Sequence, residues 1–402
     1  MHSLVPKGQL VKIAIVGAGI GGLATASMLA NSGHTVSVFE TFEQATPVGA
    51  GLLLQPPGQA VLKSLGVLRE AQSSGCSISK LHSLTTAGRS LLDISYDDLP
   101  GRARNGLGIQ REKLHAVLME TALKTSTSFH FSTPIKASTM ENDSIFLVSN
   151  SERYGPFDFV IVSSGSRSEW LNDKSFGRQA RPYHWGCMWA TVPLPDTLNS
   201  HTLHQRCYGT RKMIGLLPTR LSANGPSAAL YWSVKETDAA KWLSDGYPAF
   251  LDELGALWPE AAAAASNISA HNFTFARYQD IWTKRPYQSR MLLIGDAAHG
   301  TSPQLGQGAS MALLDAAAVD ICLQNVSGNK NDIENAMKHY RDERLAHQRY
   351  VRYASRALTP VFQHHSRYKG VLRDWFCGSA SRLPVANAIA VKTLACEMFN
   401  KG

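Results

Sequence analysis

Residues 12–40 read KIAIVGAGIGGLATASMLANSGHTVSVFE, and the meaning given to the glycines in this apolar run decides the fold. Ile13 to Val16 has the content of a short buried strand, Gly22 to Asn31 that of a helix stopped by Gly33, and Thr35 to Phe39 alternates as a second strand. A signal or membrane helix from Ile13 to Ala30 is the competing reading, but Gly17, Gly19, Gly21 and Gly22 cut it and no cleavage-like site follows. The stretch is therefore a βαβ unit.

Within that unit Gly17, Gly19 and Gly22 form G-x-G-x-x-G at the strand-to-helix turn. The first glycine permits the turn, the second lets a pyrophosphate approach the backbone, and the third lets helix and strand pack closely. The helix start adds free N–H groups and a positive dipole end. Glu40 closes the second strand about 20 residues on, where a carboxylate accepts hydrogen bonds from an adenosine ribose and repels a 2′-phosphate. The site suits FAD or NAD rather than NADP.

Outward from this unit, 402 residues allow two or three domains, and 44% hydrophobic with 18% charged residues predicts an ordered globular chain. The net charge of +9 is spread along the sequence; its densest part, HYRDERLAHQRYVRYASR at 339–356, mixes acids with bases and reads as a solvated helix face. Nucleic acid and membrane contact are not expected. Cys76, Cys187, Cys207, Cys322, Cys377 and Cys396 are far apart with no C-x-x-C pair, so neither a metal site nor a disulfide framework is predicted, and reduced thiols fit a cytoplasmic protein.

GAGLLLQPPGQAVLKSLGVL at 49–68 runs from a glycine-rich loop into a helix. ISKLHSLTTAGRSLLDISY at 78–96 reads as a hairpin turning near Ala87 and Gly88, and QREKLHAVLMETALK at 110–124 as a helix. From about Pro182 to Arg285 many short strands rich in Trp, Tyr and His are predicted, including CMWATVPL and SAALYWSVK, with EAAAAAS at 260–266 helix-forming. The tail, 331–402, is mostly helical. Trp185, Trp189, Tyr208 and Tyr231 mark this middle region as the place for a flat ring, although at period-2 spacing about half of such residues face the other way.

A second chemical constellation is RMLLIGDAAHGTSPQLGQGASMALLDA at 290–316. Asp296 stands at the mouth of a buried strand, where its carboxylate can accept hydrogen bonds from a polyol, and the Gly306, Gln307, Gly308 turn can aim backbone N–H groups at an electron-rich ring edge. His299 reads either as a general base or as an imidazole that structures the loop by bonding to backbone. DFVIVSSGSRSEW at 158–170 is a buried strand that opens into Ser163, Ser164 and Gly165 with no acid among them.

The opening fingerprint, GIQREKL around Arg111 and GDAAHGTSPQLGQG at 295–308 together resemble the class A flavoprotein monooxygenases, the para-hydroxybenzoate hydroxylase-like family. The resemblance covers nearly the whole chain. It implies an α/β fold: a Rossmann-like FAD-binding domain at 1–77, 101–180 and 286–360, interleaved with an antiparallel β-sheet substrate domain at 78–100 and 181–285, and C-terminal helices at 361–402. It implies one FAD, with Gly17, Gly19, Gly22 and Glu40 on the ADP half, Arg111 near the phosphate and ribityl region, Asp296 on the ribityl chain, and the Pro303 to Gly308 loop beside the isoalloxazine. The implied reaction inserts one atom of O2 into an aromatic, phenol-like small molecule through a flavin C4a-hydroperoxide; a flavin oxidase or reductase, or a non-catalytic FAD-binding protein, shares the same cofactor motifs.

NADH or NADPH is the implied transient electron donor, with a separate flavin reductase as the alternative, in a monomer or homodimer. Two positions depart from the family pattern. Ser164 stands where an Asp precedes Gly165, so a hydrogen-bonding group remains but no negative charge. Ser310 replaces a frequent Asn, from which one rearranged hydrogen bond is expected.

Overall fold

The structure, a computed structural model, describes residues 10–43, 51–85, 87–99, 104–150, 152–167, 174–222, 225–244, 246–324, 326–363, 384–396 and 398. The glycine-rich loop at 49–50, Ser168, Cys377 and the 364–383 part of the C-terminal segment lie outside these residues.

The Lys12–Val16 strand pairs in parallel with Thr35–Phe39 on one side and Phe159–Val162 on the other, and Ser128–His130, Met291–Leu293 and Tyr287–Gln288 complete a six-stranded sheet. Its strands come from distant parts of the chain, which is how the second domain is interleaved with it. Alternate residues of the central strands face two different cores. Ile13, Ile15, Phe159 and Ile161 pack under the helices Ile20–Asn31, Arg111–Leu123 and Gly308–Leu323, whereas Ala14, Val16, Val160 and Val162 meet Ile145, Leu147 and Phe157. Apolar runs without polar alternation are what a sheet covered on both faces requires.

The second sheet has seven strands in the order Thr274–Thr283, Arg178–Pro193, Ser227–Lys235, Lys212–Arg220, Thr202–Tyr208, Lys80–Thr85 and Ser90–Ser95. The 80–95 hairpin turns through Gly88 at φ +79°, a left-handed conformation that favours glycine. The middle region differs from its sequence reading in two ways. Arg178–Pro193 is one strand of 16 residues, bent by an irregularity between Pro182 and Gly186 that looks like a break in sequence. And 236–266 holds three helices, Glu236–Ser244, Tyr247–Leu257 and Pro259–Ser266, of which only the last was expected.

These helices cover one face of the large sheet through Trp232, Leu230, Phe250, Leu254 and Trp258. The opposite face meets a small sheet of Leu52–Leu54, Gly75–Ile78 and Gly106–Ile109 and the C-terminal helix Pro384–Leu394.

The basic helix is not a solvated face on all sides. It runs from Lys330 to Phe362 and buries Tyr340, Arg344, His347, Gln348, Arg352 and Ser355, spaced by three or four residues along one side. That stripe escapes a hydrophobicity reading because it is polar. Arg356 Nε donates to the buried Asp280 at 2.8 Å, and the Arg352 guanidinium sits 4.5 Å from the Trp282 ring centre, so the helix clamps the Thr274–Thr283 strand. Among the described residues no helix is long and apolar enough to cross a membrane.

Candidate active site

The glycine turn begins where Gly17 leaves its strand at φ +106°. A Cβ there would lie 2.8 Å from the Ser163 carbonyl oxygen, and one at Gly22 would lie 2.0 Å from the Gly17 carbonyl oxygen. Gly19 differs. A Cβ there would meet no atom of the described residues within 4 Å, so open space faces the turn at the start of the Ile20–Asn31 helix. Two glycines are thus needed for packing and one borders the room a pyrophosphate would fill.

Ala18, between them, is pinned on both sides of its peptide plane. Its N–H donates to Glu40 Oε2 at 2.7 Å, and its carbonyl lies 2.8 Å from His115 Nε2. Glu40 also accepts the Phe42 N–H at 3.1 Å, so the ribose candidate first fixes the turn and the chain after its own strand. His115 was not singled out in sequence; it follows Arg111 by one helical turn, which is the signal that could have found it.

At the end of the Phe159–Val162 strand the role is divided. Ser163 donates to the Gly17 carbonyl at 2.8 Å and ties the two strand mouths together. Ser164 is half-buried beside it, and Gly165 takes φ +76° with nothing within 4 Å of a Cβ.

The 290–316 stretch forms the opposite wall. Asp296 is exposed at the start of the short Asp296–His299 helix, while Gly295 and Ala297 to Gly300 around it are buried. After the Pro303–Leu305 turn, Gly306 is left-handed at φ +61°, and the Gly308–Leu323 helix begins with Gly308 exposed. The Gln307 side-chain amide donates to the Thr393 carbonyl of the C-terminal helix, and its buried Oε1 has no partner among the described residues. Ser310 is fully buried and accepts the Gln55 N–H at 3.0 Å.

Behind this wall is a buried charge network. Asp315 accepts the Gly295 N–H at 2.9 Å and Arg344 Nε at 2.9 Å, and its Oδ2 lies 2.5 Å from His299 Nε2. Burial alone would raise its pKa, but the facing His299 and Arg344 outweigh it and hold the carboxyl well below the ordinary carboxylate range. His299 is therefore bonded to a carboxylate, not to backbone as its structural reading had it. Burial, helped by Arg344, pushes His347 down to about 4. An unfolded histidine titrates near 6.5, so between pH 6.5 and 4 the unfolded chain holds the extra proton and stability falls as pH drops. The full shift is worth about 3 kcal/mol. Urea midpoints at pH 7 and pH 5 should fall with acid in the wild type and fall less in His347→Gln; an equal fall in both contradicts the assignment.

The sheet supplies the third wall. Trp189, Tyr231, Gly215 and Gln205 are register partners across four strands and so share one face. A Cβ at Gly215 would overlap the Tyr231 ring at 2.0 Å, so this glycine lets the ring lie across the sheet, where Gln205 Nε2 donates to its hydroxyl at 2.5 Å. Trp189 meets the Tyr231 ring at 5.5 Å and its Nε1 donates to the Tyr278 hydroxyl at 3.1 Å. Burial pushes the Tyr278 phenol well up. The four aromatic residues singled out in sequence are not brought together. Trp189 and Tyr231 share the face, Tyr208 is half-exposed beside the turn to Lys212–Arg220, and Trp185 lines a separate cavity on the helix-covered side.

A glycine cradle with open space, an acid on the adjacent strand, an exposed Asp at a strand mouth and an aromatic sheet face opposite define a flavoprotein of the aromatic monooxygenase class. The residues fit FAD at each of these points. The chain belongs to the FAD binding domain family, whose model matches residues 10–354, and FAD is its cofactor. It is 28% identical over 359 residues to YetM of Bacillus subtilis, covering 86% of this chain and 89% of YetM. It is 26% identical over 409 residues to the 3-amino-4-hydroxybenzoate 2-monooxygenase of Streptomyces cremeus, covering 94% of this chain and 98% of that one. In fold it matches a Klebsiella pneumoniae HpxO variant complexed with FAD at TM-score 0.80 and 18% identity, over 96% of this chain and 99% of the other.

Proposed function

We propose that this FAD-dependent monooxygenase inserts one atom of O2 into an aromatic, phenol-like small molecule held against the Trp189–Tyr231 face. The carrying observation is the pair formed by Tyr231 and Gln205: the amide donates to the phenol oxygen, so the Tyr231 proton is left to point elsewhere. Burial pushes that phenol's pKa up, so it remains a donor at neutral pH, suited to a substrate oxygen on which charge develops. Trp189 offers a ring surface beside it.

FAD, when bound, supplies the activation of oxygen. The chain's residues hold and enclose it: Gly17, Gly19, Gly22 and Glu40 on the ADP half, Arg111, Ser164 and Gly165 near the phosphates, Asp296 on the ribityl chain, and the backbone of Gly306, Gln307 and Gly308 at the ring. Pro303 shapes the entry to that loop. His299, engaged by Asp315, acts as a positioning residue. Residues 78–100 and 181–285 serve as one substrate unit, a reading supported by their joining in one sheet. Val391 and Ala395 of the C-terminal segment pack in the same cluster as Trp189 and Tyr231, which excludes water from that side.

Electrons come from NADH or NADPH in this reading. Mixing the anaerobic FAD-loaded protein with either nucleotide and a panel of phenolic acids should bleach the visible flavin band quickly with one compound, which then takes up label from 18O2. Label-free product would leave an oxidase. The uncharged Ser164 favours a second reading, a separate flavin reductase: bleaching by dithionite but by no nucleotide, restored by Ser164→Asp, would select it.

A further inference from the structure

We propose that a cavity on the helix-covered side of the large sheet binds a planar aromatic anion, at a site separate from the flavin face. Trp232 is the register partner of Met188 and Ile214, and these three point away from the row that carries Trp189 and Tyr231. The cavity that Trp232 borders has a volume of about 330 Å³, the size range of a small-molecule site. It is walled by three indoles: Trp185, Trp232 and Trp242, the last two meeting edge to face with ring centres 5.0 Å apart. Aromatic walls of this kind hold a flat ring by offset or edge contacts.

Its charge is one-sided. Arg211, Lys212 and Lys235 line it with one exposed carboxylate, Asp238, and among the described residues Lys212 alone of the three is paired, with Glu253. Burial, followed by the neighbouring Arg211, pulls the Lys212 pKa down, so like charges are crowded where water is partly excluded. The fully buried Trp232 indole N–H has no acceptor among the described residues. A solvated surface needs none of this; a carboxylate or phenolate on a one- or two-ring aromatic satisfies both the cations and the indoles.

The inference is independent of what binds at the flavin face. Calorimetric titration of the FAD-loaded full chain with 2-naphthoate tests it, with the visible flavin band followed in parallel. A binding event that leaves the flavin spectrum unchanged is expected. Trp185→Leu and Lys235→Glu should each weaken it about tenfold, the scale of one lost charge-assisted or stacking contact, while Tyr231→Phe should not. Neutral 2-naphthamide should bind at least about tenfold more weakly for the same reason. Circular dichroism and FAD content certify the variants. If all heat follows the flavin spectral change, or if neither Trp185→Leu nor Lys235→Glu shifts affinity in folded protein, the site does not exist.

Discussion

Asp315→Leu is expected to cost about 3–5 kcal/mol of stability, the range for removing one partner of a buried ion pair. The carboxylate is fully buried and serves the Gly295 N–H, His299 and Arg344, with Gln348 Nε2 donating to it at 3.2 Å. Its loss strands the Arg344 guanidinium in a nearly water-free site and frees a loop whose Gly295 sits at φ +58°. The paired change Asp315→Leu with Arg344→Leu should recover much of the loss, because the unpaired charge goes with its partner. Urea unfolding of the three variants measures this. A single-variant loss under about 1 kcal/mol would mean that water reaches Arg344 and that the network is not the clamp of the cofactor loop.

Gly22→Ala should produce a protein without FAD. The added methyl would sit 2.0 Å from the Gly17 carbonyl and 2.5 Å from Ser163 Oγ, so the helix must move off its strand and take the phosphate-facing N–H groups with it. Gly19→Ala is the informative comparison. With no described protein atom within 4 Å of its Cβ, it should fold normally and lose about tenfold or more in FAD affinity, since the methyl would enter the room proposed for the pyrophosphate. The ratio of flavin to protein absorbance after purification and the unfolding midpoint separate the two effects. Normal affinity in Gly19→Ala would show that the open space is not where the pyrophosphate lies.

The parts of the site that were legible in sequence are those whose chemistry is local. G-x-G-x-x-G between two strands, Glu40 after the second, and Asp296 before a glycine loop are each defined within a few residues of backbone, so the sequence alone picks them out as candidates. Residues whose role depends on a partner far along the chain were not legible. His115 acts on Ala18, Ser163 on Gly17, Gly215 makes room for the Tyr231 ring of the neighbouring strand, and Gln205 orients Tyr231. The helix at Lys330–Phe362 is the sharpest case. Its periodic stripe is there in the sequence, but because the stripe is Arg, His and Gln it reads as solvated until Asp315 and Asp280 are found beneath it.

By itself the sequence determined the βαβ start and the cofactor class, because short-range glycine geometry and strand periodicity are set by neighbouring residues, while the interleaving with a β-rich part came from the family resemblance. Tertiary structure alone decided which aromatic residues share one face of the large sheet. Side chains alternate along every strand, and a bend such as that between Pro182 and Gly186 changes the facing of everything after it. Trp185 accordingly lines a cavity with Trp232 and Trp242, whereas Trp189, on the same strand, meets the Tyr231 ring.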